Sequence, residues 1–366
     1  MKPKYYPFID GFRAVAVFGV LFAHGMPFFT LDTPVESFFG QVFSIGHLGV
    51  DMFFVISGFL ITGILIEDWE GAIRLRRFYL RRYLKIYPQY LFALLFGFSV
   101  LLAWNVVNVG QVLSEKNEFI RIFVYFFLAQ NYTQQYELFM HTWSLAVEEH
   151  FYLMYPLVVR FLFSFNKDAV QRRFYLILFA LAAIILTITS RHLGHGVDFV
   201  SRLLDAPEPS KTTFFRIDAL IFGCLLKFLE PYYQVKKSDK KNYLTILCFL
   251  AGVLIYGYFI VFGFLNHWDP FLLAYLASGC MFIATYRGFW LLKVVSENSF
   301  IRWIGRNSYA IYLWHYILLQ LVKPYFSQIG VLTGVMIYMI LSLIVGVLTT
   351  VTIEKFFLTM RRKIIP

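Results

Sequence analysis

The sequence predicts an all-α, polytopic membrane protein with about ten transmembrane helices and one short re-entrant or interfacial helix. Hydrophobic residues make up 59% of the 366 residues, and the mean hydropathy is +0.64. No polar stretch is long enough for a separate soluble domain, so residues 1–366 are interpreted as a single membrane domain. The predicted helices follow eleven apolar runs, at 6–29, 43–66, 86–107, 119–130, 142–165, 174–190, 213–229, 243–264, 269–286, 303–323 and 331–358.

Loop charge predicts the orientation of these runs. The net charge is +11, and in a membrane protein such an excess marks cytoplasmic loops rather than nucleic-acid binding. Run 119–130 is about a dozen residues long, too short to span, which places both termini in the cytoplasm. The basic clusters expected inside are Lys2/Lys4, Arg74–Lys85, Arg160–Arg173, Lys236–Lys241, Arg287–Arg306 and Arg361–Lys363.

Two features bear on this topology. The first run lacks a small-residue cleavage site, so we expect it to remain as the first crossing. The loop at 191–212 falls outside although it contains basic residues, and it also contains acidic ones. The residues concerned are Arg191, Arg202, Lys211, Asp198, Asp205 and Glu208.

The first apolar run carries ionisable residues at membrane depth, where a charge is costly and usually functional. Arg13 and His24 are eleven residues apart, which is three helical turns plus about 20° and a rise of roughly 16 Å. They therefore lie on one face of one helix. Asp10, three residues before Arg13, can offset its charge. The alternatives are a snorkelling Arg13, an N-capping Asp10 and a packing role for His24.

Further polar residues occur inside later runs. Glu148 and Glu149 lie in an otherwise apolar helix, and Glu148 shares a face with His141 and Ser144. Arg216 and Asp218 form a second charged pair at the outer edge of another run. The remaining polar positions are His47, Asp51, Ser57 and His315.

The inner loop between the second and third runs, Arg76–Pro88, is a dense cationic patch. Its basic residues can bind phosphates through charge-assisted hydrogen bonds, or they can serve only as positive-inside anchors. The residues in question are Arg76, Arg77, Arg81, Arg82 and Lys85, beside Tyr87.

Several classes of site are absent from the sequence. There is no Walker-type loop, zincin motif or Gly-x-Ser-x-Gly elbow. Cys224, Cys248 and Cys280 lie in apolar runs without paired spacing, so we expect neither disulfides nor a metal site. The apolar runs show no internal duplication, which argues mildly against a repeat-built transporter.

Buried histidine, arginine and carboxylate side chains are compatible with two classes of protein. One is a proton-coupled transporter of a glycan, lipid or small anion, with His24 and Glu148/Glu149 as the relay. The other is a transferase open to both sides of the membrane, for which the cationic loop would hold a phosphate-bearing donor. The density of buried ionisable residues argues against a third class, a structural scaffold.

Taken together and in this order, the motifs resemble the acyltransferase type 3 family, integral membrane enzymes that O-acylate bacterial surface glycans and lipids. The resemblance covers nearly the whole chain. It is carried by Asp10-Gly-Phe-Arg13 with His24, Gly49-Val-Asp51-Met-Phe-Phe-Val-Ile-Ser57-Gly58-Phe, the basic Arg82–Pro88 stretch, Thr142-Trp-Ser144-Leu-Ala-Val-Glu148-Glu149, Arg216-Ile-Asp218-Ala and Ser308-Tyr-Ala-Ile-Tyr-Leu-Trp-His315.

Two positions depart from the family pattern. Lys85 stands where the family usually has an arginine, so the charge is kept but the bidentate fork is lost. His150 stands where a glutamine is expected. We also expect no fused extracytoplasmic esterase-like domain after the last crossing.

The resemblance implies acyl transfer, most often of acetyl, from cytoplasmic acyl-CoA to a hydroxyl of a cell-surface polysaccharide or lipopolysaccharide sugar, in the bacterial inner membrane. The expected partners are acyl-CoA, a glycan or lipid-linked saccharide acceptor and the bilayer. His24 is then the general base, Glu148 orients its ring or stabilises its imidazolium, and Arg13 stabilises negative charge or seats the donor. Ser57 is a less favoured covalent relay, because a Ser-Gly pair such as Ser57-Gly58 in a helix is more often a close-packing point.

Each remaining site residue receives an expected role from the same resemblance. Asp10 and Glu149 join the catalytic group. The donor-binding residues are Arg77, Arg81, Arg82, Lys85 and Tyr87. The acceptor-binding residues are His47, Asp51, His141, Ser144, Arg216, Asp218 and His315.

Overall fold

The computed structural model describes residues 5–28, 34–67, 75–107, 116–164, 168–193, 209–234, 243–263 and 269–364. These ranges are helical and contain no strand. The α-helices are α1 Pro7–Gly25, α2 Pro34–Ser44, α3 Gly49–Glu67, α4 Leu75–Ala103, α5 Lys116–Phe126, α6 Trp143–Ser164, α7 Ala169–His192, α8 Thr213–Tyr233, α9 Tyr243–Phe262, α10 Pro270–Tyr286, α11 Trp290–Glu297, α12 Ser299–Arg306, α13 Ser308–Val322, α14 Phe326–Ile329, α15 Val331–Thr349 and α16 Lys355–Ile364.

The helices confirm an all-α, multi-pass membrane protein. Within the described ranges, 6 helical segments are long and apolar enough to cross a bilayer, or 7 if α10 and α11, bent by 88°, are counted as one span. The predicted count of about ten stays a prediction. The spanning segments are Pro7–Phe28, Gly40–Ile66, Leu75–Ala103, Ala169–His192, Tyr243–Phe262 and Val331–Ile364.

Two compact units, each assembled from separate stretches of chain, make up the protein. Unit 1 contains Met1–Ile73, Met154–His192 and Arg216–Ser308, and unit 2 contains Arg74–Leu153, Leu193–Phe215 and Tyr309–Pro366. The predicted loop positions 198, 202, 205 and 208 and the basic cluster Lys236–Lys241 lie outside the described residues.

In unit 1, α1 is the unbroken helix that the first apolar run predicted. Pro7 occupies the first turn, where its missing N–H leaves no intrahelical bond unmade. Asp10 lies one turn further on and is therefore not the N-cap, which is Tyr6. Since no break interrupts the helix, the predicted common face of Arg13 and His24 is present.

Small residues hold α1 against its neighbours at backbone distance. A methyl group on Gly305 of α12 would overlap the carbonyl oxygen of Asp10, and one on Gly11 would overlap Ser296. At the other end, a methyl group on Gly46 would overlap the carbonyl oxygen of Gly19. Backbones that approach so closely fix α1 laterally along its length, and with it the side chains that it carries.

A glycine pair also fixes the crossing of α3 and α8. A methyl group on Gly58 would overlap the carbonyl oxygen of Leu220, and one on Gly223 would overlap that of Val55. The preference for Gly58 as a close-packing position is thus explained by its contact with α8. The same crossing brings the amino-terminal ends of α3 and α8 together.

We expect Gly58→Ala to destabilise the protein by about 1–3 kcal/mol, because the added methyl group must displace the backbone of α8. Gly257→Ala in α9 is the matched control, since no atom lies within 4 Å of a methyl group there. Thermal unfolding in detergent measures both changes. A melting temperature lowered equally by the two variants would contradict the packing argument.

In unit 2, the cationic stretch predicted as a loop is helical. Leu75–Ala103 is one helix of 29 residues, about 44 Å long and longer than the roughly 30 Å hydrocarbon core. The prediction of a loop was wrong because arginine, lysine and leucine are good helix formers, and Pro88 lies inside α4 without ending it. The basic residues are therefore the first turns of α4.

The amino-terminal half of α4 packs on the last segment of the chain. Gln89 donates a hydrogen bond of 2.9 Å to Thr349, just before a π-helical turn at Thr350–Glu354 leads into α16. Contacts between α4 and α16 follow along the helices. These contacts hold α16, whose last turn is basic, against α4, whose first turns are basic.

The short helix α5 has 11 residues, which agrees with the prediction that this segment does not span. Arg121 bonds Glu118 at 3.0 Å and the carbonyl of Gln134 at 2.8 Å, which ties α5 to the segment that follows. Its other side carries an exposed aromatic ridge, as expected for contact with lipid. The ridge consists of Phe119, Phe123 and Phe127.

Candidate active site

The central feature of unit 1 is the His24 side chain, on the last turn of α1. Its ring nitrogen Nδ1 lies 3.0 Å from the carbonyl oxygen of Val20. A carbonyl oxygen only accepts hydrogen bonds, so Nδ1 carries the proton and donates it. The neutral ring then presents its lone pair at Nε2. The backbone of α1 thus selects the tautomer that a general base requires.

Arg13 lies three turns away on the same face and is half-buried. The predicted charge pair with Asp10 is not formed, because Asp10 has other partners. Tyr5 donates a hydrogen bond of 2.6 Å to Asp10 Oδ2, and Arg306 lies 3.9 Å from the same oxygen. Asp10 therefore connects α1 to α12, and its predicted catalytic role stays a prediction.

Two other predicted site residues of unit 1 are His47, in the turn before α3, and Ser57, within α3. His47 donates through Nδ1 to the carbonyl oxygen of Ser44, in a 3₁₀ turn that precedes α3. Ser57 is half-buried on α3, beside the packing glycine Gly58. The acceptor-binding role of His47 and the relay role of Ser57 stay predictions.

The predicted pairing of Arg216 with Asp218 is wrong. Residues two apart on a helix do not face each other, and each has a partner on another helix. Arg216 donates to Asp51 at 2.6 Å, with side chains only 6% and 2% exposed. This ion pair joins α8 to α3 above the glycine crossing.

Asp218 belongs to a second buried cluster that sequence analysis missed. Its partner is Arg191, at 2.7 Å, and the same guanidinium lies 2.9 Å from Asp269. Phe271 lies under both arginines, 4.0 Å from Arg216 and 5.6 Å from Arg191. Arg191 was expected to be an ordinary loop charge. Its acidic partners neutralise it, which removes one basic residue from the charge balance of the predicted outer loop.

We expect Asp51→Ala to destabilise the protein by about 3–5 kcal/mol, because it leaves Arg216 as an uncompensated buried charge. Lys293→Ala is the control, since its pair with Glu297 is 4.0 Å apart and both side chains are about half exposed. Unfolding in detergent measures the difference. Equal stability of the two variants would show that the buried pair is not structural.

In unit 2, helix α4 aligns most of the predicted donor-binding cations. Arg77, Arg81 and Lys85 follow one another at intervals of four residues, so they form one half-buried face, here called the cationic face. Arg361 on α16 lies within electrostatic range of Arg81. From sequence, Arg361 is only part of a basic cluster expected inside, because its proximity to α4 depends on the packing of helices far apart in the chain.

Arg82 and Tyr87 have structural partners as well. The Arg82 guanidinium lies 4.4 Å from the ring centre of Tyr152 on α6, and it is within electrostatic range of Glu149. Tyr87 donates to the carbonyl oxygen of Phe126 at 3.1 Å, which caps the end of α5. Arg82 and Glu149 are therefore brought together, whereas donor binding by Tyr87 stays a prediction.

His141, Ser144 and His315 are buried side chains in unit 2. His141 bonds the carbonyl oxygen of Leu313 at 3.0 Å, and Ser144 lies 2.7 Å from the hydroxyl of Tyr312. The rings of His141 and His315 are 4.9 Å apart. These contacts join α13 to the start of α6, and acceptor binding by the three residues stays a prediction.

His150, the other departure from the expected pattern, also makes a specific contact. Its Nδ1 lies 2.6 Å from the Thr213 hydroxyl, which accepts a hydrogen bond of 3.1 Å from Asn131. The ring of Tyr132 lies 5.8 Å from the His150 ring. His150 thus holds α6 to the short 3₁₀ segment after α5.

The described residues thus form a multi-pass helical membrane protein with a half-buried histidine at the end of α1 and a cationic face on α4. The chain matches the model of the acyltransferase domain over residues 6–352, and it belongs to that family. This confirms the resemblance seen in the sequence motifs.

Curated relatives match most of the chain. The O-acetyltransferase OatA of Staphylococcus aureus strain NCTC 8325 / PS 47 is 31% identical over 348 residues, which is 89% of this chain and 53% of the relative. OatA of strain COL matches with the same values. The chain thus spans about half the length of these relatives. No solved structure matches it.

Proposed function

We propose that the protein is a membrane O-acyltransferase that moves an acetyl group from cytoplasmic acyl-CoA to a hydroxyl of a cell-surface saccharide. The observation that carries the proposal is the His24 tautomer, which the Val20 carbonyl holds with its lone pair on Nε2. Membership of the acyltransferase family and the O-acetyltransferase names of the relatives support the same reaction.

In the proposed reaction, His24 Nε2 takes the proton from the acceptor hydroxyl as its oxygen attacks the thioester carbonyl carbon. A tetrahedral oxyanion forms, the carbon–sulfur bond breaks, and the thiolate leaves with the proton that His24 returns. The products are the acetyl ester and CoA thiol. His24 ends the cycle neutral and in its starting tautomer.

The position of His24 on α1 favours the charged intermediate. The helix ends at Gly25, so the imidazolium forms beside the carbonyl end of the helix dipole. A cation at that end is stabilised by roughly 0.3–1 kcal/mol at an exposed site, and by more where it is partly buried. The bond from Nδ1 to Val20 also becomes charge-assisted when the ring is protonated.

Of the two roles expected for Arg13, we propose donor seating. Oxyanion stabilisation needs a donor within about 3 Å of the reacting oxygen. Arg13 is separated from His24 by roughly 16 Å along α1, and this separation is kept because both side chains lean toward the amino terminus of the helix. A long, extended donor is therefore the substrate that Arg13 fits.

The donor phosphates are assigned to the cationic face of α4. Arg77 and Arg81 offer bidentate guanidinium forks, whereas Lys85 contributes a point charge, and Arg361 adds a fourth cation from α16. Arg82 is also proposed to bind the donor, and its guanidinium is oriented by Tyr152 and Glu149.

The remaining groups complete the proposal. Glu148 and Glu149 are proposed as catalytic carboxylates. Direct transfer is preferred to a covalent relay through Ser57, since its neighbour Gly58 accounts for this stretch by packing. The loop charges support a bacterial inner-membrane location with both termini in the cytoplasm.

Release of CoA thiol tests the reaction class. Purified protein in detergent, supplied with acetyl-CoA and a panel of oligosaccharides, is expected to release thiol in proportion to the acetyl ester formed. The transporter alternative predicts that acetyl-CoA is not consumed. Mass analysis of surface glycans from cells with and without the protein then identifies the acceptor sugar.

A further inference from the structure

A cavity of about 700 Å³ opens in unit 1 between the carboxyl-terminal ends of α3 and α8 and the start of α7. Its volume lies within the range of about 300–1,000 Å³ found for small-molecule sites. None of its lining residues belongs to the acyl-transfer machinery proposed above. The lining residues are Gly63, Ile66, Ala169, Arg172, Arg173, Leu176, Lys227, Phe228, Glu230 and Pro231.

The cavity is electropositive, because three cations line it against one carboxylate. That carboxylate, Glu230, is fully engaged by donors. It accepts 2.8 Å from Tyr6, 2.7 Å from Tyr286 and 2.5 Å from Lys227. Glu230 therefore orders the Lys227 ammonium at the cavity wall and offsets one of the three positive charges, which leaves two.

The two arginines come from the first turns of α7. Arg173 donates to the carbonyl oxygen of Phe228, which anchors its guanidinium at the wall on the α8 side. Arg172 lies 5.5 Å from the ring of Phe163. Both arginines line the cavity, and guanidinium N–H groups are donors that phosphate oxygens favour.

The rest of the cavity is apolar and continues onto an apolar outer surface. Ile66, Leu176 and Pro231 line the wall, while Val170 and Tyr232 beside it are 75% and 76% exposed. In a membrane protein such a surface contacts acyl chains. The cavity thus combines a cationic pocket with an adjoining surface suited to hydrocarbon.

We infer that this cavity binds the phosphate headgroup of an anionic phospholipid, with the acyl chains against the apolar surface beside α7 and α8. The predicted topology places the cavity at the cytoplasmic side, where anionic lipids are concentrated and where basic pockets between transmembrane helices bind their headgroups. The inference stands on unit 1 alone and does not depend on the acyl-transfer reaction.

Lipid-dependent stabilisation tests the inference. The melting temperature of the full chain in detergent is measured against added phosphatidylglycerol, phosphatidylcholine or inorganic phosphate. Phosphatidylglycerol is expected to give a saturable rise at the lowest concentration. In Arg172→Gln/Arg173→Gln, the apparent affinity is expected to fall about 25-fold, since each basic residue contributes roughly fivefold to binding of anionic lipid.

Two sets of controls separate the cavity from general charge and from folding. Arg160→Gln/Lys293→Gln removes the same charge from exposed positions outside the cavity and is expected to bind like the wild type. Ala169→Trp fills the cavity without a change of charge and is expected to lose the phosphatidylglycerol effect. Val261→Trp adds similar bulk at an exposed position of α9 outside the cavity and is expected to keep it.

Three results would overturn the inference. One is equal stabilisation by phosphatidylcholine and phosphatidylglycerol, and another is full stabilisation by inorganic phosphate at the same concentration. The third is unchanged phosphatidylglycerol binding by both Arg172→Gln/Arg173→Gln and Ala169→Trp. If the arginine variant fails to fold, the comparison of Ala169→Trp with Val261→Trp decides.

Discussion

Replacing His24 by alanine is expected to lower the rate of acetyl transfer by about 10²–10⁴, because the step loses its general base. Only His24 Nε2 takes the acceptor proton in the proposed reaction, and the Val20 carbonyl holds the ring ready for it. The variant should still fold, since His24 is half-buried at the end of α1, away from the glycine contacts that fix this helix. Steady-state kinetics measures the loss.

His24→Gln is the matched variant, since glutamine fills a similar volume and forms hydrogen bonds but does not accept the proton. We expect it to be as inactive as His24→Ala, with the donor KM little changed in both. Wild-type kcat in either variant would remove His24 from the role of base and leave Glu148 or Glu149 as the next candidate.

Neutralising the cationic face is expected to raise the donor KM more than it lowers kcat. In Arg81→Gln/Lys85→Gln, each lost charge-assisted bond is worth roughly 1.5–3 kcal/mol, about a tenfold to hundredfold rise in KM for each residue. The effect falls on KM because the phosphates are held equally in the ground and transition states.

Arg76→Gln is the control for this face, because Arg76 is exposed and points away from Arg81 on the same helix. Its donor KM is expected to stay near that of the wild type, whereas the single variant Arg81→Gln raises it. If Arg81→Gln and Arg81→Gln/Lys85→Gln leave KM unchanged, these residues orient the protein in the membrane and do not bind the donor.

The elements that sequence alone predicts well are those set by local periodicity. The common face of Arg13 and His24 required only an unbroken helix, and α1 supplies one. The packing role of Gly58 followed from its small size in an apolar helix, and its contact with Leu220 explains the choice. Both predictions needed only the residues within one segment of the chain.

The features that sequence analysis missed depend on contacts between distant segments. Arg216 was assigned to its neighbour Asp218, but its partner Asp51 lies 165 residues earlier in the chain. Arg191 looked like a loop charge until the fold brought Asp218 and Asp269 to it. A single sequence gives periodicity but not the identity of a partner across the bundle.

The helical state of the cationic stretch shows a different limit. The dense charge between two apolar runs suggested a loop, yet α4 runs through it and through Pro88. The helix tolerates the proline, and arginine and lysine have high helix propensity. Its consequence for function is specific, because only a helix aligns Arg77, Arg81 and Lys85 on one face.

Sealed proteoliposomes with labelled acetyl-CoA inside and an oligosaccharide acceptor outside test the central claim most directly. The account predicts that wild-type protein produces labelled acetyl ester outside, that unlabelled CoA thiol accumulates inside, and that His24→Ala produces neither. Intact labelled acetyl-CoA appearing outside, or labelled ester formed by His24→Ala at the wild-type rate, would contradict it.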